Sequence, residues 1–264
     1  MKVLTLNSHA WREENSDEKI AYLAKTIIER DYDIIALQEV NQMLDAPLME
    51  GSHLRINNYM VVLLQEIEKQ GAPRYYSYWQ SAKTLREYYE EGLCILSKTP
   101  ILEKYVFTIS QNAEHTSPKK RNIVRITTKY HEELIDVYSC HLGWWHDEIE
   151  PFKPQWEALH KEIREDRLSF LLGDFNNNAN IREEGYDYIM AHGLWDTYTL
   201  AKKKDSGATV QGEIVGWEGN KVDLRIDLIL VSKKIEVVSS KVIFNGIHKE
   251  IISDHYGVEA EVSL

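Results

Sequence analysis

Ser169-Phe170-Leu171-Leu172-Gly173-Asp174-Phe175-Asn176-Asn177 is an apolar run that stops at a glycine and at once presents a carboxylate and two amides. It reads as a buried strand that carries Asp174 and Asn176 to the rim of a sheet. The same arrangement recurs along the chain. The apolar run 34–38 ends in Glu39, the run 134–140 ends in His141, the run 224–231 carries Asp227 inside it, and Ser253-Asp254-His255 stands just before the last strand. Acids, amides and imidazoles therefore appear where hydrophobic runs stop, in both halves of the chain. One large active site built on strand ends is the simplest arrangement that uses them all.

The rest of the pattern supplies the frame. A short strand over 3–6 leads to Asn7, and Ser16 opens a helix whose apolar stripe is Ile20, Leu23, Ala24, Ile27 and Ile28. A strand over 32–38, a polar loop over 41–52 and a second helix over 54–69 follow. Strands are expected over 75–80, 92–97 and 101–109, and an antiparallel pair over 123–129 and 134–140. Helices at 155–163 and 186–191 flank the Asp174 strand. A Gly- and Lys-rich stretch over 202–219 reads as a mobile loop, and strands over 224–231, 235–244 and 256–262 close the chain. Strands outnumber helices and many are joined by short turns, whereas a doubly wound parallel sheet needs a crossover between most strands. The expected class is α/β, as two packed, mostly antiparallel sheets with helices outside. No repeat, low-complexity segment or linker divides residues 1–264, so a single domain is expected.

Hydrophobic residues make up 43% of the 264 and charged residues 28%, an ordinary globular balance. Lys and Arg total 31 against 42 for Asp and Glu, a formal charge of −11, which repels polyanions at long range. On that basis nucleic acid is disfavoured as a partner. Cys94 and Cys140 each sit within an apolar run and read as buried thiols of a reducing compartment. No signal peptide and no membrane span are evident, so the expectation is a cytoplasmic protein that does not engage a membrane. No protein partner is indicated.

Asn7, Gln38-Glu39, His141-Leu142, Gly173-Asp174-Phe175-Asn176, Arg225-Ile226-Asp227 and Ser253-Asp254-His255 together resemble, in order, the motifs of the endonuclease/exonuclease/phosphatase superfamily. Deoxyribonuclease I-like and abasic-site nucleases, bacterial sphingomyelinases and inositol polyphosphate 5-phosphatases belong to it. The resemblance spans the chain from the first strand to the last. It implies a four-layered α/β sandwich and metal-dependent hydrolysis of a phosphoester. By the same resemblance Glu39 holds Mg²⁺ (with Mn²⁺ as its substitute), helped by Asn7 and Asp254. Asp174 orients or deprotonates the attacking water, and Asn176 holds the phosphate. His255 acts at the phosphoryl centre with Asp227 fixing its tautomer, and His141 donates to a phosphate oxygen. Several relatives carry an acid where this chain has His9, which leaves the second metal position open.

The chemistry is reasonable apart from the resemblance. Mg²⁺ takes hard oxygen ligands and keeps several waters, so one or two carboxylates suffice. An Asp–His pair lets an imidazole work near neutral pH. For the substrate, Trp144 and Trp145 follow His141 closely, and Trp217 lies in the later Gly-rich stretch. Indole faces beside polar groups suit a sugar ring, although one of the adjacent pair reads as a core plug. Arg225, one alternation step from Asp227, is a candidate contact to substrate, whereas the basic run 119–121 reads as a solvated loop. The opening stretch and the segment around Glu39 also resemble the cytoplasmic maltose 6'-phosphate phosphatases of lactic acid bacteria. That resemblance implies a small phosphorylated sugar as substrate. A metal-dependent endo- or exonuclease is the alternative, followed by a sphingomyelin or phosphoinositide phosphoesterase.

Overall fold

Alternation along the strands sorts the apolar side chains into separate layers. The computed structural model describes residues 1–85 and 88–264. Its strands are β1 (Lys2–Asn7), β2 (Ile34–Met43), β3 (Tyr76–Leu85), β4 (Tyr89–Ser97), β5 (Ile101–Thr108), β6 (Asn122–Tyr130), β7 (Glu133–His141), β8 (Leu168–Asp174), β9 (Trp195–Asp196), β10 (Lys203–Lys204), β11 (Asp227–Val231), β12 (Glu236–Ile243) and β13 (Gly257–Ser263). The helices are α1 (Ser16–Arg30), α2 (Tyr59–Lys69), α3 (Phe152–Lys161), α4 (Gly185–Met190) and α5 (Thr197–Leu200), with a 3-10 turn at Ala10–Arg12.

Among the described residues the strands form two sheets, ordered β10-β12-β13-β1-β2-β4-β3 and β5-β6-β7-β8-β11-β9. Most neighbours are antiparallel, whereas β1/β2, β7/β8 and β10/β12 run parallel. The inner faces meet through Val3, Ile34 and Ala36 from one sheet and Val124, Val137, Phe170 and Leu172 from the other. The alternate residues point the opposite way. Leu4, Leu6, Ile35 and Leu37 pack under α1 and α2, against Leu23, Ile27, Leu63 and Ile67. Tyr138, Cys140 and Leu171 pack under α3 and α4, against Trp156, Leu159 and Ile189. The result is helix, sheet, sheet, helix, the four-layered sandwich expected from the motifs.

Several boundaries differ from the sequence reading for local reasons. Helix α2 starts at Tyr59 rather than residue 54, because the Asn58 side chain caps it by accepting from the Met60 amide. Helix α3 begins at Phe152, since Pro154 falls in its first turn, where its missing N–H costs nothing. Strands β3 and β4 extend beyond the expected 75–80 and 92–97, into residues whose side chains are mostly polar. Strand β2 runs past Glu39 to Met43, with a bulge between Leu37 and Val40. No helix of the described residues is long and apolar enough to cross a membrane.

Candidate active site

Strand register brings the expected residues to one place. His141 lies opposite Asp174 across the parallel β7/β8 pair, and Asp227 lies opposite Asp174 across the antiparallel β8/β11 pair. Three ends of the six-stranded sheet thus present an imidazole and two carboxylates side by side. From the other sheet, Asn7 at the end of β1 pairs with Gln38. The β2 bulge then sets Glu39 in a left-handed conformation, φ 54°, and its side chain lines the same cavity. A bulge of this kind re-aims a side chain at the cost of local strain. Ser253 Oγ donates to the Asn7 carbonyl at 2.7 Å, which fastens the segment carrying Asp254 and His255 to the end of β1.

The cavity holds about 670 Å³ and is bordered by Glu39, His141, Asp174, Asn176, Asp254 and His255. At its floor the His255 Nδ1–H donates to Asp227 Oδ2 at 2.9 Å, and His255 Nε2 lies 3.8 Å from Asp174 Oδ2. His141 Nε2 approaches the same oxygen at 3.6 Å. Asn7 Nδ2 lies 3.2 Å from both Glu39 Oε1 and Asp174 Oδ2, so one amide spans carboxylates of the two sheets. Asn176, left-handed at φ 50°, donates through Nδ2 to the Leu142 carbonyl, while its Oδ1 accepts from Trp217 Nε1 at 3.2 Å.

Burial separates the ionisation of these groups. Burial pushes the Asp174 carboxyl up to about 7, with the His255 charge pulling the other way. Burial also opposes the charge of His255, but the Asp227 and Asp174 carboxylates and the Asp227 hydrogen bond outweigh it and push the imidazole up to about 10. His141 goes the opposite way: burial, with Arg121 and Lys83 nearby, holds it well below its ordinary value of 6.5 and therefore neutral. A carboxyl poised near neutrality beside a cationic imidazole is an acid–base pair of the type hydrolysis needs.

Among the described residues, two groups of side chains have ligand atoms close enough to share a divalent ion: Asp174, Asp227 and His255, and His9, Glu13 and Asp254. His9 Nδ1 is 2.6 Å from Glu13 Oε1 and 3.7 Å from Asp254 Oδ1, and its buried Nε2 has no partner among the described residues. Glu39 and Asp254 add hard oxygen donors to the same cavity. This donor set fits a divalent cation.

Other residues sit differently from the sequence reading. Arg225 does not border the cavity: it is ion-paired with Asp196 at 2.8 Å between the rings of Tyr186 and Tyr198. Its alternation step from Asp227 falls before β11 begins, where strand periodicity does not hold. Trp145 packs against Phe152 and Tyr188 beneath the Lys153 ammonium and is only partly buried, as is Trp144, so neither indole is a fully enclosed core plug. Trp144 borders the cavity and an adjoining one of about 720 Å³, whose wall also includes Trp145 and Trp217.

The run 119–121 is not a solvated loop as a whole. Lys119 pairs with Asp147 at 2.6 Å, and Arg121 is 5% exposed and borders the cavity. Lys83 and Glu91, ion-paired at 3.1 Å and both buried, also border it and were not foreseen. Arg12, 3.1 Å from Glu39 Oε2, is a further cation at the site.

Residues 10–255 match the model of the Endonuclease/Exonuclease/phosphatase family. Comparison with curated proteins gave no match. Among solved structures, an endonuclease/exonuclease/phosphatase family protein from Leptotrichia buccalis is 38% identical, with all of both chains covered and a TM-score of 0.93. A mannosyl-6-phosphatase from Bacteroides thetaiotaomicron is 16% identical, with all of both chains covered and a TM-score of 0.68. A 3' phosphatase from Neisseria bound to a product DNA hairpin is 19% identical, again with full coverage of both chains, at a TM-score of 0.65. This last structure overturns the expectation that nucleic acid is disfavoured as a partner, because the same fold holds DNA. The net charge of −11 averages over the whole surface, whereas the cavity itself is bordered by four cations, Arg12, Lys83, Lys119 and Arg121, and four carboxylates, Glu39, Glu91, Asp174 and Asp254. The fold and the clustered ligand groups support a metal-dependent hydrolase. On the family match and the Leptotrichia likeness, the chain belongs to the endonuclease/exonuclease/phosphatase family.

Proposed function

We propose that the chain hydrolyses phosphoesters by attack of water on phosphorus, with a divalent ion held by Glu39, Asn7 and Asp254. The observation that carries this reading is the buried Asp227–His255–Asp174 row facing Glu39 across Asn7. Bound there, a hard ion such as Mg²⁺ supplies polarisation of the phosphoryl oxygens and stabilises developing charge. Asp174, at about 7, accepts the proton of the attacking water. His255 presents Nε2 to the cavity with Nδ1 held by Asp227, and in its cationic form donates to a phosphoryl oxygen as charge builds. His141, neutral, contributes a second donor. Asn176 is held by Leu142 and Trp217 at the edge of the cavity and positions the phosphate.

Of the three substrate classes named by the sequence reading, a nucleic-acid phosphoester has the strongest support, from the likeness to the DNA-bound Neisseria structure. No comparison supports maltose 6'-phosphate itself. A phosphorylated sugar is the second reading. It is favoured by Trp144 and Trp217, which wall the adjoining cavity beside Asn178 and Glu184, and by the likeness to a mannosyl-6-phosphatase.

Phosphate release and strand cleavage in Mg²⁺ or Mn²⁺, with and without chelator, test both readings. The panel is a 3'-phosphorylated DNA hairpin, plasmid DNA, maltose 6'-phosphate, glucose 6-phosphate, an inositol phosphate and sphingomyelin vesicles. Chelator-sensitive turnover of the DNA substrates supports the first reading, and of the sugar phosphates the second. Turnover unaffected by chelator, or none on any substrate, overturns the proposal.

A further inference from the structure

We propose that Arg121 is an anion-recognition residue that fits the cavity to a terminal phosphate, a dianion, in preference to an internal diester. The inference rests on the phosphoester reading above and adds the form of the ester.

The guanidinium is buried at 5% exposure, yet among the described residues its side chain has no hydrogen bond and no ion pair. Burying an unpaired cation is costly, and natural sites offset that cost with a carboxylate or a bound anion. Here the carboxylates of Glu91, Asp174, Glu39 and Asp147 act on it through space, but none lies within ion-pair distance. Glu91 is already committed to Lys83. Arg121 is thus left with through-space attraction and no direct carboxylate partner among the described residues.

The residue is also held in place. Its amide donates to Ser110 Oγ at 3.0 Å, its carbonyl accepts from the Ile109 amide at 2.9 Å, and its guanidinium lies 5.6 Å from the Trp144 ring centroid. A fixed, planar fork with free N–H groups matches the oxygens of a phosphate.

Arg121 closes one end of the cavity, and charge decides between ester types. Between Lys83, Glu91, Arg121 and His141 the remaining void is about 10 Å³, at most the room of one water. A phosphoryl group can end against this wall, with its ester substituent directed out through the 670 Å³ cavity. A terminal phosphate carries about one more negative charge than a diester near neutral pH, and a guanidinium without a direct partner favours the more highly charged form.

Such a group can arrive on a nucleic-acid end or on a sugar, and the experiment separates these sources. The full chain and its Arg121→Gln and Arg121→Lys variants are assayed in Mg²⁺ on p-nitrophenyl phosphate and bis-p-nitrophenyl phosphate. A 3'-phosphorylated DNA hairpin and glucose 6-phosphate serve as natural monoesters. Binding of inorganic phosphate is measured by calorimetry, independently of turnover. Losing a charge-assisted contact corresponds to roughly a 10- to 100-fold effect. Arg121→Gln is expected to lower kcat/KM for monoesters and the affinity for inorganic phosphate by that factor. The loss on the monoester should exceed that on the diester at least tenfold, and Arg121→Lys should fall between. Unchanged phosphate affinity, or equal losses on both ester types, overturns the assignment. If the wild-type chain turns over none of the esters, the phosphoester reading fails, while calorimetry still decides whether Arg121 holds the anion.

Discussion

At the scale of the residue, Asp174 and His255 do opposite jobs because the same burial acts on unlike charges. Replacing Asp174 by Asn keeps its shape but removes the proton acceptor. Turnover is expected to fall by about two to four orders of magnitude, with the circular dichroism spectrum unchanged. The ionisation of His255 also has a sign that can be followed in the metal-free protein. Its folded-state value of about 10 exceeds the ordinary 6.5, so the stability it lends is complete below 6.5 and drains away as pH rises towards 10. Asp174, at about 7, has largely ionised by the lower part of that range. Thermal midpoints in chelator are therefore expected to fall between pH 7 and pH 10, and the slope should flatten in His255→Gln. An equal slope in both proteins would refute the assignment. These two residues were legible in the sequence because each stands beside an apolar run or the last strand. Arg121 and Lys83 were not, because a cation's burial is decided by strands that meet only in three dimensions.

At the scale of the element, the site depends on how closely neighbouring strands approach. A Cβ on Gly173 would lie 1.9 Å from the Cys140 carbonyl oxygen, so β7 and β8 must separate to admit it. Gly173→Ala is expected to cost about 3 kcal/mol or more, read as a lower denaturant midpoint. Activity should suffer further, because His141 and Asp174 are partners in that same register. Most strands could be read from their apolar runs, and the helix stripe of α1 was equally plain. The Glu39 bulge could not be read, since one extra residue leaves no mark in a two-residue period. Nor could the extension of β3 through Leu85, whose polar side chains face the cavity rather than a core.

At the scale of the whole molecule, the layer between the sheets draws on β1, β2, β4, β6, β7, β8, β11, β12 and β13, so neither half of the chain can complete it alone. Unfolding in denaturant is expected as a single transition, coincident by fluorescence and circular dichroism, as one cooperative domain requires. Two separated transitions would argue for independent units. The sandwich itself was legible, because strands joined by short turns with helices at intervals leave few other packings. The partner was not, because an average over 264 residues conceals where the charges sit.

Asn7 reaches one carboxylate on each sheet, and Ser253 ties the His255 segment to the same strand end. The chemistry is thus stitched across a seam rather than seated within either slab. Slippage of one slab over the other would undo the stitch while every strand kept its neighbours, so the protein would fall silent while its spectrum still read as native.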